Sequence, residues 1–271
     1  MELNDPVQES YIGVWQRLSL ETRGKPSDTT TRAYWIQTST LFADLRIPPD
    51  RPDFCGKTSL AECGDEELLQ LARQQGFAGM TLAGGDLLHR RRQVDYQPSR
   101  GRDNTRRMRF EGEVLVEENL PGTVQEKWQR LAGPQGGVIA LRLLEESNRE
   151  GRPVARKGYL LVMGDYFLFV RDRTEFTRQA ASLEDLFEAQ ELERDEQIRL
   201  LDCEFSFGRR NGGVQAWEIQ LSTLPYREGR ALFAPGQFAT LKGGGNALVQ
   251  RGMGLNGPVT RRWSIQEWTE G

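Results

Sequence analysis

Histidine, lysine and cysteine are scarce in this sequence. Its 271 residues include one histidine, five lysines and three cysteines, against 31 arginines and 29 glycines. One histidine excludes most metal sites that are built on imidazole ligands. The cysteines, Cys55, Cys63 and Cys203, are odd in number and form no Cys-x-x-Cys pair, which argues against a disulfide framework and a thiolate zinc site. We therefore expect free thiols, no metal and no cofactor.

Long apolar runs and an excess of one charge are also missing. No run approaches the ~18 apolar residues that cross a bilayer, and the start of the chain, Met1 to Pro6, lacks the basic and apolar regions of a signal peptide. Lysine and arginine total 36 against 39 acidic residues, a net charge of −3, so the basicity of a general nucleic-acid binder is absent. These features predict a cytoplasmic protein with neither a membrane nor a nucleic acid as partner.

Most of the chain alternates between apolar and polar residues with a period of two, which is typical of β-strands. Gly, Pro and Asn cluster between the alternating segments, as in an antiparallel meander. The fold class predicted is therefore all-β with two short helices. The strands are expected at residues 11–20, 32–38, 41–47, 87–97, 106–110, 112–118, 123–131, 137–145, 158–163, 165–171, 199–208, 214–223, 230–234, 246–251 and 260–268.

Two segments favour a helix. Asp65 is placed to cap a helix over residues 66–75, with Gly76 as the residue that ends it. Ser182 and Asp185 resemble a capping box, which predicts a second helix from Leu183 to about Glu193. Both helices are expected outside a sheet or at the end of a barrel.

The two halves of the chain resemble each other. Ile36–Arg46 aligns without gaps to Leu161–Arg171, and in each half a helix and further strands follow this hairpin. Each half also closes near a tryptophan with a glutamate close by. This order favours an internal duplication with units 1–133 and 134–271, joined near the glycine-rich residues 133–137; the alternative is that any two all-β halves look alike. The matched features are Phe42 with Phe167, Arg46 with Arg171, and Glu126 and Trp128 with Glu267 and Trp268.

The first strand resembles a known superfamily. Gly13-x-Trp15, together with arginines on strands near the end of each unit (Arg130; Arg261 and Arg262), is similar to the calycin or lipocalin-like pattern. The resemblance implies a barrel in which the tryptophan packs across the closed end against a basic side chain. The two-unit arrangement is similar to the lipocalin-like Hri proteins. We therefore expect two lipocalin-like barrels or half-barrels, although residues 138–144 contain no second Gly-x-Trp.

One face of the first three strands combines aromatic and charged residues. An apolar wall with a few fixed polar groups is typical of a pocket for a small amphipathic or anionic molecule, and two tryptophans would be unfavourable in water. The alternative is a solvated face with a surface ion pair. The candidate ligand-binding residues are Trp15, Arg17, Trp35, Gln37, Phe42, Asp44 and Arg46.

His89 is the imidazole that any catalytic hypothesis must use. In a strand over 87–97 it shares a face with Asp95, but six residues along a strand is too far for direct contact, so a cross-strand partner is needed. Tyr96 is a further proton-transfer candidate. A structural or exposed histidine is the alternative.

Residues 90–109 hold eight arginines and two aspartates, a local balance of 8 − 2 = +6. One interpretation is a surface that binds anions or an acidic partner. The alternative is a solvated arginine-rich loop. The candidate anion-binding residues are Arg90, Arg91, Arg92, Arg106 and Arg107.

The motif Gly252-x-Gly254-x-x-Gly257 has the spacing of a dinucleotide-binding loop. Such a loop needs a helix directly after it, but Pro258 comes next, so the motif is interpreted as a hairpin turn.

These observations predict a cytoplasmic lipocalin-like protein that binds a small, partly apolar or amphipathic ligand. One alternative is a lyase, isomerase or cyclase that acts on such a ligand through His89, Asp95 or Tyr96. Another is an interaction module that uses the arginine-rich residues 90–109.

Overall fold

The N-terminal half is a closed antiparallel barrel of eight strands, in which each strand pairs with the next and the last pairs with the first. The structure, a computed structural model, describes residues 5–54, 56–98, 104–132, 136–174, 180–189, 192–211, 213, 215–234, 236–240, 246–254 and 257–269. The barrel strands are β1 (Gly13–Thr22), β2 (Arg32–Gln37), β3 (Leu41–Ile47), β4 (Gln75–Gly84), β5 (Leu87–Asp95), β6 (Thr105–Glu111), β7 (Val114–Asn119) and β8 (Val124–Arg130).

The C-terminal half is one antiparallel sheet in the order β14-β13-β12-β11-β9-β17-β16-β15, with β10 paired to β9. Among the described residues, its end strands, β14 and β15, are not paired with each other. The first unit is therefore a closed barrel, whereas the second unit, predicted as a barrel or half-barrel, is a sheet that does not close. The strands are β9 (Val138–Ser147), β10 (Pro153–Val154), β11 (Gly158–Met163), β12 (Tyr166–Arg171), β13 (Glu204–Arg209), β14 (Glu218–Ser222), β15 (Phe238–Thr240), β16 (Ala247–Gly254) and β17 (Gly257–Trp268).

Three α-helices join the strands of the described residues: α1 (Asp65–Ala72), α2 (Leu183–Glu188) and α3 (Arg194–Leu201). The predicted cap on α2 is confirmed, since the Asp185 N–H donates to Ser182 Oγ at 3.0 Å. The predicted cap on α1, Asp65, is instead the first residue of the helix. Gly64 is the N-cap, and the Glu67 carboxylate accepts the Gly64 N–H at 2.7 Å. The chain then enters β4, which was not predicted. Helix α3 replaces the first part of a strand predicted at 199–208.

The two sheets follow one strand order. Starting from β5, the barrel runs β5-β4-β3-β2-β1-β8-β7-β6, and the second sheet runs through the corresponding strands from β14 to β15. The residue register also agrees. Arg46 pairs with Ala33 in the barrel, and Arg171 pairs with Gly158 in the second sheet. Both residues of the second pair lie 125 positions after their counterparts in the first pair. On the last strands, Trp128 pairs with Arg17 and Trp263 pairs with Leu143, each beside a bulge. The counterpart of Trp128 is therefore Trp263, and the match to Trp268 was wrong.

A β-bulge stands at the same place in each sheet. Between β4 and β5, Ala78 and Gly79 face Val94 and Arg92, which leaves Gln93 as the extra residue. Between β13 and β14, Phe207 and Gly208 face Leu221 and Ile219, which leaves Gln220. A Cβ atom would lie 2.1 Å from a carbonyl oxygen at Gly79 and 2.0 Å from one at Gly208. Glycine is required at both positions because another main chain passes so closely.

The end of the barrel near Trp15 agrees with the resemblance in the first strand. The Arg130 guanidinium lies 4.4 Å from the centre of the Trp15 ring, and the Trp15 indole N–H donates to the Tyr11 carbonyl at 3.0 Å. A Cβ atom on Gly13 would lie 2.5 Å from the Arg130 guanidinium. The glycine and the tryptophan of the motif thus serve one contact, the cation–π stack of Arg130 on Trp15.

The two units share one hydrophobic core between the outer faces of their sheets. Side chains of β1–β3 cluster there with those of β11–β13, including Leu45 and Val170. Tyr34 stacks on Phe207 at the second bulge, with ring centres 4.1 Å apart. Tyr159 of the second unit likewise contacts the first bulge, because its hydroxyl donates a hydrogen bond to the side-chain oxygen of Gln93. The units are therefore packed through matching elements.

Candidate functional site

The predicted ligand-binding face lies inside the N-terminal barrel. Its aromatic members belong to one interior cluster with Phe77 and Trp128. Six of the seven residues are at most 7% exposed, and the Arg46 side chain is 12% exposed. The seven are Trp15, Arg17, Trp35, Gln37, Phe42, Asp44 and Arg46. The seven residues therefore share one buried face, as the alternation along their strands predicts.

Arg46 is the centre of a buried ionic network in this barrel. It donates to both Asp44 carboxylate oxygens, at 2.8 and 2.9 Å, and to both oxygens of Glu126, at 2.5 and 3.0 Å. Arg17 bonds Glu126 at 3.2 Å and Asp28 at 2.7 Å. Burial alone would raise the pKa of Glu126, but Arg46 and Arg17 outweigh it and hold that pKa below its usual value.

Aromatic rings fill the space around this network. Trp35 lies 6.0 Å from Trp15 and 5.6 Å from Trp128 between ring centres, and the Arg90 guanidinium lies 4.4 Å from the centre of Trp35. The walls of the two cavities described below contain neither Trp15 nor Trp35. A ligand on this face therefore stays a prediction.

The structure does not bring the three candidate catalytic residues together. His89 Nδ1 lies 2.9 Å from Thr105 Oγ1 on β6, whereas Asp95 accepts from Arg92 at 2.9 Å. The bulge at Gln93 reverses the alternation of β5, so Asp95 lies on the side of Arg92 and not of His89. Tyr96 is fully buried, which raises its pKa.

The Tyr96 hydroxyl donates to the Leu71 carbonyl at 3.0 Å and accepts from Gln74 at 3.3 Å, so its bonds are those of a structural residue. None of the three candidates lines the cavities described below. Catalysis through them stays a prediction.

The five candidate anion-binding arginines do not form one surface, because alternate residues of a strand face opposite sides. Arg90 is 3% exposed and is bound by both oxygens of Glu117, at 2.6 and 2.9 Å. The Arg92 guanidinium lies 3.7 Å from the ring centre of Phe77. Arg91 and Arg107 are exposed on the other side, and Arg106 lies 3.5 Å from Glu117. Residues 99–103 of this segment lie outside the described residues.

A cavity of about 350 Å³ opens on the face of the second sheet that is turned away from the shared core. Its wall has an apolar part made by Phe169, Leu232 and Phe233. The wall also contains the side chains of Arg171, Arg227, Arg261 and Glu204.

Salt bridges hold the charged groups of this cavity in place. Arg171 donates to Asp202 at 2.6 Å and to Glu204 at 3.4 Å. Arg227 reaches the other oxygen of Glu204 at 3.3 Å, and Arg261 bonds Glu146 at 2.6 Å. Burial alone would raise the pKa of Glu204, but Arg227 and Arg171 outweigh it and lower that pKa. These salt bridges fix the four side chains in position.

The cavity lies at the seam where the second sheet fails to close. Residues 229–232 run along the free edge of β14, since the Gly229 N–H donates to the Ile219 carbonyl at 2.8 Å and the Leu232 N–H to the Trp217 carbonyl at 2.8 Å. The segment 230–234, predicted as a strand, makes an isolated bridge between Ala231 and Glu218. It lines the cavity instead of pairing β14 with β15.

The sequence did not predict this cavity, although two of its residues were noted for other reasons. Arg171 was available from its alignment with Arg46, and Arg261 from its place near the end of the second unit. Glu204 and Arg227 were missed, because neither lies in a recognisable motif and they meet only in the folded chain.

The described residues contain neither a metal-binding cluster nor a membrane-spanning helix. No group of three or more His, Cys, Asp or Glu side chains there is arranged to hold a metal ion. No helix of the described ranges has the length and apolar character to span a membrane.

Comparisons with known proteins identify no relative. The chain matches no protein-family model, no curated protein and no solved structure.

Proposed function

We propose that the protein binds a small, partly apolar molecule that carries an anionic group, and that the ligand lies in the cavity of the second sheet. The observation that carries this proposal is the composition of the cavity wall, which combines three arginines and one glutamate with the apolar side chains of Phe169, Leu232 and Phe233. The volume of about 350 Å³ lies within the range of small-molecule sites. The sequence predicted a pocket with the same combination of apolar and charged side chains, but in the N-terminal unit.

The comparison between the units supports an anionic ligand. In the barrel, Arg46 is neutralised by Glu126, which lies two positions before Trp128. In the second sheet, Arg261 occupies the matching position, two before Trp263, and lines the same cavity as Arg171, the counterpart of Arg46. The carboxylate of one unit is therefore an arginine in the other. Glu146 and Asp202 hold these arginines in place, and Arg227 adds a third guanidinium to the cavity wall, so an anionic group can accept charge-assisted hydrogen bonds from several donors there.

A further part of the proposal is that the units are copies of one lipocalin-like ancestor. The shared strand order, the common register and the matching bulges at Gly79 and Gly208 support it. In this view the first copy has a filled interior and the second copy keeps the ligand site.

The cytoplasmic location also belongs to the proposal. It is supported by the thiols of Cys63 and Cys203, which are free and buried, as is usual in a reducing compartment.

The test is a fluorescence titration with 1-anilinonaphthalene-8-sulfonate, an aromatic anion whose emission rises in an apolar site. Trp217 packs against Phe233 with ring centres 5.3 Å apart, so a change in the protein's tryptophan emission provides a second readout of binding. The wild-type protein should bind the probe saturably. Arg227→Gln should weaken binding about tenfold, because it removes one charge-assisted hydrogen bond.

Arg262→Gln is the matched control. Arg262 is adjacent to Arg261 on β17, but its side chain is 53% exposed and pairs with Glu145 at the surface. Its replacement should change the affinity less than about twofold. Absence of saturable binding, or equal losses in the two variants, would refute the proposal.

A further inference from the structure

A second cavity, of about 720 Å³, lies between the two units. One wall follows β3 and contains Pro48, Pro49 and Pro52. The other wall is the turn after β14 and begins at Pro225. Proline fixes the φ angle of each position it occupies, so both walls are stiff before any ligand arrives. We refer to this cavity as the inter-unit cleft.

Arg51 joins the two walls. One of its guanidinium nitrogens donates to the Ser222 carbonyl at 2.7 Å, and another donates to Glu228 Oε1 at 2.7 Å. The same carboxylate oxygen accepts the Ser222 N–H at 2.8 Å. The Arg51 side chain is 7% exposed. A charged group on the cleft wall is therefore held in one orientation, which reduces the entropy that a ligand would have to overcome.

Positive charge exceeds negative charge on the cleft wall. The wall has four cationic side chains and two carboxylates, a balance of +2. Glu228 is engaged by Arg51, and Lys57 pairs with Glu67 outside the wall. Within the described residues, Arg32 and Arg230 form no ion pair, and both are exposed. They come from different units and line the same space.

The cleft and the cavity of the second sheet share residues 225–234 as a common wall. Arg227 and Leu232 line the cavity of the second sheet, whereas Glu228 and Arg230 line the inter-unit cleft. The two spaces are lined by different side chains, so each can be altered separately.

We propose that the inter-unit cleft is a second ligand site, which binds a small polyanion with two or more phosphate or carboxylate groups. A single phosphate would fill a small part of 720 Å³, and Arg32 and Arg230 come from different units. A longer anion reaches the cations of both units. This inference does not depend on the ligand of the second sheet.

The test is calorimetric titration of the full chain with inorganic triphosphate and, in a parallel arm, with citrate, both at low ionic strength. The wild-type protein should bind at least one of them, and the arm with the lower Kd identifies phosphate or carboxylate as the preferred group. The double variant Arg32→Gln/Arg230→Gln should weaken binding tenfold or more, since each arginine supplies charge-assisted hydrogen bonds. Added salt should weaken wild-type binding.

The matched control is Arg91→Gln/Arg262→Gln, which removes two exposed arginines elsewhere. It should bind the polyanion with less than about a twofold change in Kd. Arg227→Gln should also bind it as the wild type does, which separates this site from the cavity of the second sheet. Thermal unfolding of each variant verifies that it is folded. No binding by the wild type, or equal losses in both double variants, would overturn the proposal.

Discussion

Gly79 and Gly208 occupy the same position in the two sheets, each beside a bulge and each against the carbonyl oxygen of a neighbouring strand. Alanine at either position would place its Cβ about 2 Å from that oxygen. We expect Gly79→Ala and Gly208→Ala each to lower the free energy of unfolding by about 2 kcal/mol or more, since the main chain must move. Urea unfolding measures this loss.

Gly64→Ala is the control for these glycines, because a Cβ atom there would lie 3.7 Å from the Glu67 carboxylate. Its cost should stay below about 1 kcal/mol, as for an alanine at a helix N-cap. A similar loss in all three variants would contradict the argument.

Neutralising Glu126 should destabilise the barrel strongly. Glu126→Gln removes the carboxylate that Arg46 and Arg17 both contact. Breaking a buried ionic network in this way costs about 3–5 kcal/mol, because the remaining charges stay buried. Glu111→Gln provides the comparison, since Glu111 is 47% exposed and pairs with Arg109 at the surface. It should cost less than about 1 kcal/mol. Equal unfolding midpoints for the two variants would show that the network is not stabilising.

Glu267 should make the contact between the units sensitive to pH. Its carboxylate accepts hydrogen bonds from Thr38 and Thr40 hydroxyls at 2.6 and 2.8 Å, and from the Ser39 and Thr40 N–H groups at 3.2 and 3.1 Å. Burial alone would raise its pKa, but these bonds outweigh burial and lower it below 4.5. The charged form is therefore the stabilising one.

A carboxylate with a lowered folded-state pKa contributes its full stability above the pKa of the unfolded chain, and that contribution is lost as the pH falls through the folded value. Wild type should therefore be more stable than Glu267→Gln at pH 7, and the difference should shrink below about pH 4.5. Urea unfolding over a pH series measures the difference. Glu145→Gln, at a side chain that is 48% exposed, should show little difference at any pH. A constant gap for Glu267→Gln would contradict this assignment.

Arg130 should protect the tryptophan at the barrel end. Arg130→Met removes the cation that lies 4.4 Å from the Trp15 ring and the hydrogen bonds to the Ser10 and Ile12 carbonyls. The expected loss is about 1–2 kcal/mol, with a change in tryptophan emission as the ring is exposed. Arg109→Met, at an exposed surface position, should leave both unchanged. Emission identical to wild type in Arg130→Met would show that the stack is unimportant.

Local pattern predicted most of the barrel but not the site. The face from Trp15 to Arg46 was predictable because strands alternate strictly. Strand β4 was missed, since Gly76, Gly79 and Gly84 interrupt its pattern. The second sheet would close by pairing β14 with β15, but residues 229–232 occupy the edge of β14 instead, and no local pattern in the sequence encodes this. The cavity at that seam was missed for the same reason.

The contact between the units uses tyrosines at matching positions. Tyr34 meets the bulge of the second unit at Phe207, and Tyr159 meets the bulge of the first unit at Gln93. A change in the path of either bulge therefore moves a residue of the contact between the units as well as its own strand. The glycines that permit the bulges, Gly79 and Gly208, thus also determine how the two sheets fit together.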